Sequence, residues 1–197
     1  MTSFYAEEEL ARLGLKKYGD NVLISRKCSI YSSGKISLGN NVRIDDFCVL
    51  SGDITLGSYI HLAAYCALYG EFGIEMEDYS GLSVRCTILS ASDDFSGDYL
   101  VGPTMPKGTT NVQGGKVTFK KYTTAGASCI IFPNITIGEG TAIGSMSLVN
   151  KNLEEWGFYM GMPVRRIKER NKGLLELVNY PPSRSSLCIS YYARMVA

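Results

Sequence analysis

Histidine occurs once in the 197 residues, and the six cysteines form no CxxC-type pair. One imidazole per chain cannot supply a three-histidine metal centre, so no metal is expected. An excess of either charge is also missing: 20 Lys and Arg stand against 19 Asp and Glu, a net charge of +1. No strong field draws this chain to nucleic acid or to an anionic membrane. Long apolar runs are absent too. The longest uncharged stretches, Ile54 to Gly70 and Tyr122 to Gly138, have 17 residues each and are broken by Gly, Ser, Thr, Asn or Pro, short of the ~20 apolar residues of a spanning helix. The opening MTSFYAEEELARLG is acidic and has no apolar core, so it does not read as a secretory signal, and a cytoplasmic protein is expected. With 45% hydrophobic and 20% charged residues the composition is that of a folded domain.

The dominant pattern is an internal repeat. Apolar residues stand six apart at Leu38, Ile44, Leu50, Leu56, Leu62 and Leu68. After a two-residue slip come Met76, Leu82 and Ile88, and later Phe119, Ala125, Ile131, Ile137, Ile143 and Val149. Ile24, Ile30 and Ile36 extend the series toward the N-terminus. Six matches neither the 3.6 period of a helix nor the alternation of a strand, so the unit is a short strand plus a turn that brings one apolar side chain inward. Three units make a triangular coil, and successive coils stack about 4.8 Å apart through parallel hydrogen bonds. The expectation is a prism-shaped parallel β-helix of about six coils over residues 24–155, between a helical cap (1–23) and a C-terminal helix and tail (156–197).

Cys28, Cys48, Cys66, Cys86 and Cys129 each stand four residues after a repeat position, where a small side chain packs inside the turn. They read as reduced packing residues and poor nucleophiles, because burial disfavours the thiolate. Phe4, Leu10, Leu13 and Leu15 among Glu7, Glu8, Glu9 and Arg12 suggest an amphipathic helix covering one end of the prism. Residues 91–115 leave the repeat, are rich in Gly, Pro, Asp and Thr, and read as a projecting loop of the functional kind. Pro163 fits a turn or first helical position, and Arg165 to Leu177 reads as a charged helix. The stretch Tyr180 to Ala197 shows no period.

His61 directly precedes the inward Leu62, so alternation turns its ring outward, where it is suited to take a proton from an amine or hydroxyl. No serine or cysteine motif suggests a covalent enzyme intermediate. Lys151, Arg165, Arg166 and Lys168 are cations suited to phosphates.

The repeat, the single insertion between Ile88 and Val117, the segment from Ile135-Thr136-Ile137-Gly138 to Ala142-Ile143-Gly144, and Gly161-Met162-Pro163-Val164-Arg165-Arg166-Ile167 resemble the hexapeptide-repeat acyltransferases with a left-handed β-helix. The resemblance is closest to the branch holding galactoside, maltose and xenobiotic acetyltransferases. It covers about residues 24–170. It implies an all-β, left-handed parallel β-helix, a homotrimer with active sites between subunits, and acetyl-CoA as cosubstrate. It places backbone groups around Ala127 and Ser145 against the pantetheine arm, with Asn150 and Lys151 toward the nucleotide.

In the galactoside and maltose enzymes the catalytic histidine follows the strand leading into the long loop, whereas this sequence has Asp93 there. Asp93-Asp94-Phe95-Ser96-Gly97 with Gly102-Pro103-Thr104 also resembles the nucleotide-linked amino-sugar N-acetyltransferases of O-antigen synthesis. The resemblance therefore implies N-acetylation of a sugar nucleotide such as dTDP-4-amino-4,6-dideoxyglucose by direct attack in a ternary complex. His61 and Asp93 are the catalytic candidates, and Asp94 the acceptor-binding one. O-acetylation of a lipopolysaccharide or capsule hydroxyl, with His61 as base, is the alternative.

Overall fold

The computed structural model describes residues 3–178; the Tyr180 to Ala197 stretch, with Cys188, lies outside them. The repeat is realised as a left-handed parallel β-helix. One face stacks seven parallel strands in the order Leu23–Ile24, Val42–Ile44, Ile60–Leu62, Gly81–Leu82, Thr124–Ala125, Ala142–Ile143 and Gly157–Met160. Seven coils therefore form, one more than the hexapeptide count suggests. The last is written as Gly157-Phe158-Tyr159-Met160, without the six-residue spacing, and it is admitted because Phe158 and Tyr159 pair with Ala142 and Ile143.

The six-residue positions lie over one another in the core. Ile24, Ile44, Leu62, Leu82, Ala125, Ile143 and Tyr159 form one inward column, and Ile30, Leu50, Leu68, Ile88, Ile131 and Val149 a second. Nearly all are buried completely. Burial of each such side chain contributes about 1.5–3 kcal/mol, and stacking rather than local propensity holds these two- and three-residue strands. The two-residue slip before Met76 appears as a register shift where Gly52 and Gly73 take positive φ.

The corners depend on left-handed backbone at residues other than glycine. Asn21, Asn41, Tyr59, Tyr79, Tyr122 and Trp156 line one corner with φ between 52° and 61°, and Phe47, Tyr65, Arg85, Ser128 and Met146 another. Such a conformation costs about 1–2 kcal/mol at an ordinary residue. Here most of these amides are held by the coil below, as in Tyr59 N to Asn40 O and Tyr79 N to Ser58 O, both 2.9 Å. Ring stacking adds to this: Tyr59 and Tyr79 are 4.7 Å apart, Tyr79 and Tyr122 5.4 Å.

The cysteines fall in the expected column, unpaired, each thiol donating to a carbonyl of the next coil, from Cys28 to Asp45 O through Cys129 to Gly144 O. At the N-terminal end α1 spans Glu7–Arg12, buries Leu10 and is tied down by Glu9, whose carboxyl the Arg26 guanidinium lowers to about 2. At the other end the structure corrects the reading of Arg165 to Leu177 as one helix. Arg165–Glu169 is a strand antiparallel to Gly157–Met160, and only Leu174–Val178 is helical (α2). Every side chain of that strand is exposed, so a second, wet layer of sheet satisfies the edge of the last coil where a helix would leave it open.

Candidate active site

His61 occupies the middle of the strand Ile60–Leu62, between two buried neighbours, and its ring faces outward as alternation requires. Its register partners on the same face are Arg43 below and Gly81 above, followed by Thr124. Two residues beyond Arg43 on the coil below, at the strand-to-corner position that the repeat fills with Gly, Asp or Ala, stands Asp45. The Asp45 side chain is 9% exposed and receives His61 Nε2 and Arg43 Nε, both at 2.7 Å. Desolvation works against its ionisation, but the bonds from His61 and Arg43 prevail and hold its pKa below the usual carboxylate value. An ionised carboxylate only accepts, so in the neutral imidazole Nε2 carries the proton and Nδ1 presents a lone pair.

The imidazole forms the floor of a cleft of about 470 Å³. Tyr59, Tyr79 and Tyr122 make one wall, Gly81 and Thr124 continue the floor, and Leu174, Leu177 and Val178 of α2 close the opposite side. Arg170 fixes that side: its guanidinium donates to the carbonyls of Tyr122 at 2.8 Å and Gly140 at 2.9 Å, and burial lowers its pKa. The cleft is thus built by the first face, one corner and the C-terminal arm together.

The insertion is a hairpin, Ala91–Asp93 antiparallel to Val112–Gly114. Asp94 is occupied in its turn. It accepts from Ser96 N and Asn111 Nδ2, both at 2.8 Å, and from Gln113 Nε2 at 3.1 Å, and these bonds hold its pKa low. Asp93, one residue earlier, lines a separate cleft of about 260 Å³ with Gly102, Pro103 and Thr110. Among the described residues none lines both clefts, so Asp93 and His61 stand in separate clefts of this chain.

Of the residues expected at the cosubstrate, Ala127 and Ser145 meet on successive coils, with Met146 N donating to Ala127 O at 2.8 Å and Gly126 leaving no room between itself and Ser145. Asn150 and Lys151 are exposed at the other end of the strand Leu148–Val149. The basic group beyond is split. Arg166 is engaged by Glu154 and Glu169, both at 2.7 Å, and Lys168 lies over the Phe158 ring, while Arg165 is exposed. Sequence reading missed Asp45, Arg43, the tyrosine stack, Gly81 and Arg170. The Asp45 position was visible as Ile44-Asp45, a carboxylate at a site otherwise given to small residues.

No family model matches the chain. It is 40% identical over 178 residues, 89% of this chain and 93% of the relative, to the dTDP-4-amino-4,6-dideoxy-D-glucose acyltransferase of Escherichia coli. The N-acyltransferase AntD from Bacillus cereus, solved with dTDP and 3-hydroxybutyryl-CoA, is 56% identical with a TM-score of 0.88, covering 91% of this chain and 96% of that one. A single-site variant of AntD, solved with dTDP-4-amino-4,6-dideoxyglucose and coenzyme A, is likewise 56% identical, with a TM-score of 0.89 and coverage of 91% and 97%. Fold and relatives together define a hexapeptide-repeat, acyl-CoA-dependent acyltransferase. Within that class the chain belongs to the dTDP-4-amino-4,6-dideoxyglucose acyltransferase family.

Proposed function

We propose that the protein transfers an acyl group from acyl-CoA to the 4-amino group of dTDP-4-amino-4,6-dideoxyglucose, in the cytoplasm, for O-antigen or related surface polysaccharide. The observation that carries the mechanism is the 2.7 Å bond between His61 Nε2 and the ionised Asp45, which in the neutral ring leaves Nδ1 as the accepting nitrogen. The amine attacks the thioester carbonyl, its proton passes to Nδ1, and the C–S bond breaks to release CoA. Direct transfer is favoured over an acyl-enzyme because Cys48, Cys66, Cys86 and Cys129 are fully buried and donate to carbonyls. Asp93, whose carboxylate has no hydrogen-bond partner among the described residues, receives the acceptor, while Asp94 shapes the turn that presents it. Ala127, Ser145, Asn150 and Lys151 hold the CoA arm, and the exposed Arg165 faces its phosphates.

The working unit is a homotrimer. Tyr31, Tyr69 and Ile130, on the strands that carry the second inward column, and Phe132, just past one of them, are each at least 40% exposed where a neighbouring copy would cover them. Separation of the His61 and Asp93 clefts within one chain also supports a site completed across an interface. The test is a thiol-release assay with dTDP-4-amino-4,6-dideoxyglucose and either acetyl-CoA or 3-hydroxybutyryl-CoA, with hydroxyl sugars in parallel. CoA release with the amino sugar alone is expected. Release only with hydroxyl sugars would overturn N-acylation.

A further inference from the structure

Six glycines stand in the described strands outside the turns: Gly52, Gly70, Gly73, Gly81, Gly114 and Gly157. Five have a structural reason. Gly52 and Gly73 take φ of 93° and 97°, and a Cβ on Gly70, Gly114 or Gly157 would come within 2.5 Å of a neighbouring carbonyl or ring. Gly81 has none. Its φ is not positive, and the nearest atom to a Cβ there is His61 O at 3.4 Å, an ordinary contact. A glycine in a strand weakens it unless something else approaches that spot. The missing side chain leaves a hollow on the outward face directly above His61 and below Thr124, inside the 470 Å³ cleft.

We propose that Gly81 is a specificity-determining residue: the acyl substituent of the donor lies in this hollow, and the absence of a side chain admits a four-carbon acyl group. The inference rests on the reading of His61 as the base. If the amine and the thioester carbonyl meet at Nδ1, the carbon chain beyond the carbonyl needs space within one coil of it. The hollow over Gly81 is that space, and Leu174 and Leu177 supply apolar surface beside it. One extra methyl group in a pocket of this kind discriminates by about 10–200-fold.

The experiment compares the full-length wild type with Gly81→Ala and Gly81→Val. It measures kcat/KM with acetyl-CoA and 3-hydroxybutyryl-CoA on dTDP-4-amino-4,6-dideoxyglucose, together with Tm. Gly81→Ala is expected to lower transfer from 3-hydroxybutyryl-CoA at least about ten-fold more than transfer from acetyl-CoA, and Gly81→Val to lower both. Both variants should melt at or above the wild-type temperature, because a side chain replaces glycine in a strand that has room for it. A wild type that turns over but keeps the same acyl preference in Gly81→Ala overturns the inference alone, as does a Tm that falls in step with activity. A wild type that transfers neither acyl group to the amino sugar overturns the functional reading beneath it.

Discussion

Replacing Asp45 by Asn keeps the shape of the side chain and removes its charge, which makes it a sharp probe of the His61 arrangement. The carboxylate receives two charge-assisted bonds at 2.7 Å while itself 9% exposed, with Arg43 29% and His61 45% exposed. Losing bonds to a charged group costs about 1.5–3 kcal/mol, toward the lower end where the partners keep contact with water. At about 2–4 °C per kcal/mol for a chain of this size, Tm should fall by roughly 3–10 °C. The larger effect is on the tautomer. If the Asn amide oxygen keeps Arg43, its NH2 group faces Nε2, and that nitrogen must then accept; the proton moves to Nδ1 and the base is lost. The N-acyltransfer rate should drop by about 10²–10⁴, the usual contribution of a general base. Since the chain holds a single histidine, nitrogen NMR of the imidazole reads the tautomer with no assignment problem: protonated Nε2 in the wild type, protonated Nδ1 in Asp45→Asn. An unchanged spectrum and an unchanged rate in the variant would refute the argument.

The same pair sets a pH dependence. Asp45 has its pKa lowered in the fold, so its contribution to stability is complete above the unfolded value and is lost as pH falls through the folded one. The stability gap between wild type and Asp45→Asn should shrink as pH falls below about 4 in urea titrations. His61→Ala should lower kcat about 10²–10⁴-fold with a fall in Tm smaller than that of Asp45→Asn, because Arg43 still engages the carboxylate; an undiminished kcat would remove His61 from the mechanism. Ile131→Ala, packed between Ile88 and Val149 in the second inward column and fully buried, should cost about 2–5 kcal/mol by denaturant unfolding. Cys48, Cys66, Cys86 and Cys129 should react with a thiol reagent only after unfolding, and rapid native-state reaction would contradict their burial.

The prism was legible because its core has a period. A side chain at every sixth residue is visible without knowing what it touches, and Leu62, Ile88 and Ile131 fall where the spacing puts them. The outward imidazole was legible for the same reason, since its orientation follows from its neighbour Leu62. What escaped was set by contacts between coils, which leave no spacing in the chain. Trp156 and Tyr159 extend the stack by a seventh coil through pairing with Ile143 and capping of Gly140, not through a repeat. Arg165–Glu169 carries the charge pattern of a helix and becomes a strand because the last coil offers it an open edge. Asp45 lies sixteen residues from His61 in sequence and one coil away in space. The distance between a residue and its neighbour on the next coil is 18 or 20 residues along most of the prism, 43 across the inserted loop and 16 at the last coil, so a polar pair across coils is hidden until the register is known. Gly81 escaped for the opposite reason: in a chain with 21 glycines, only the built structure separates those a turn or a close approach requires from the one that leaves space above His61.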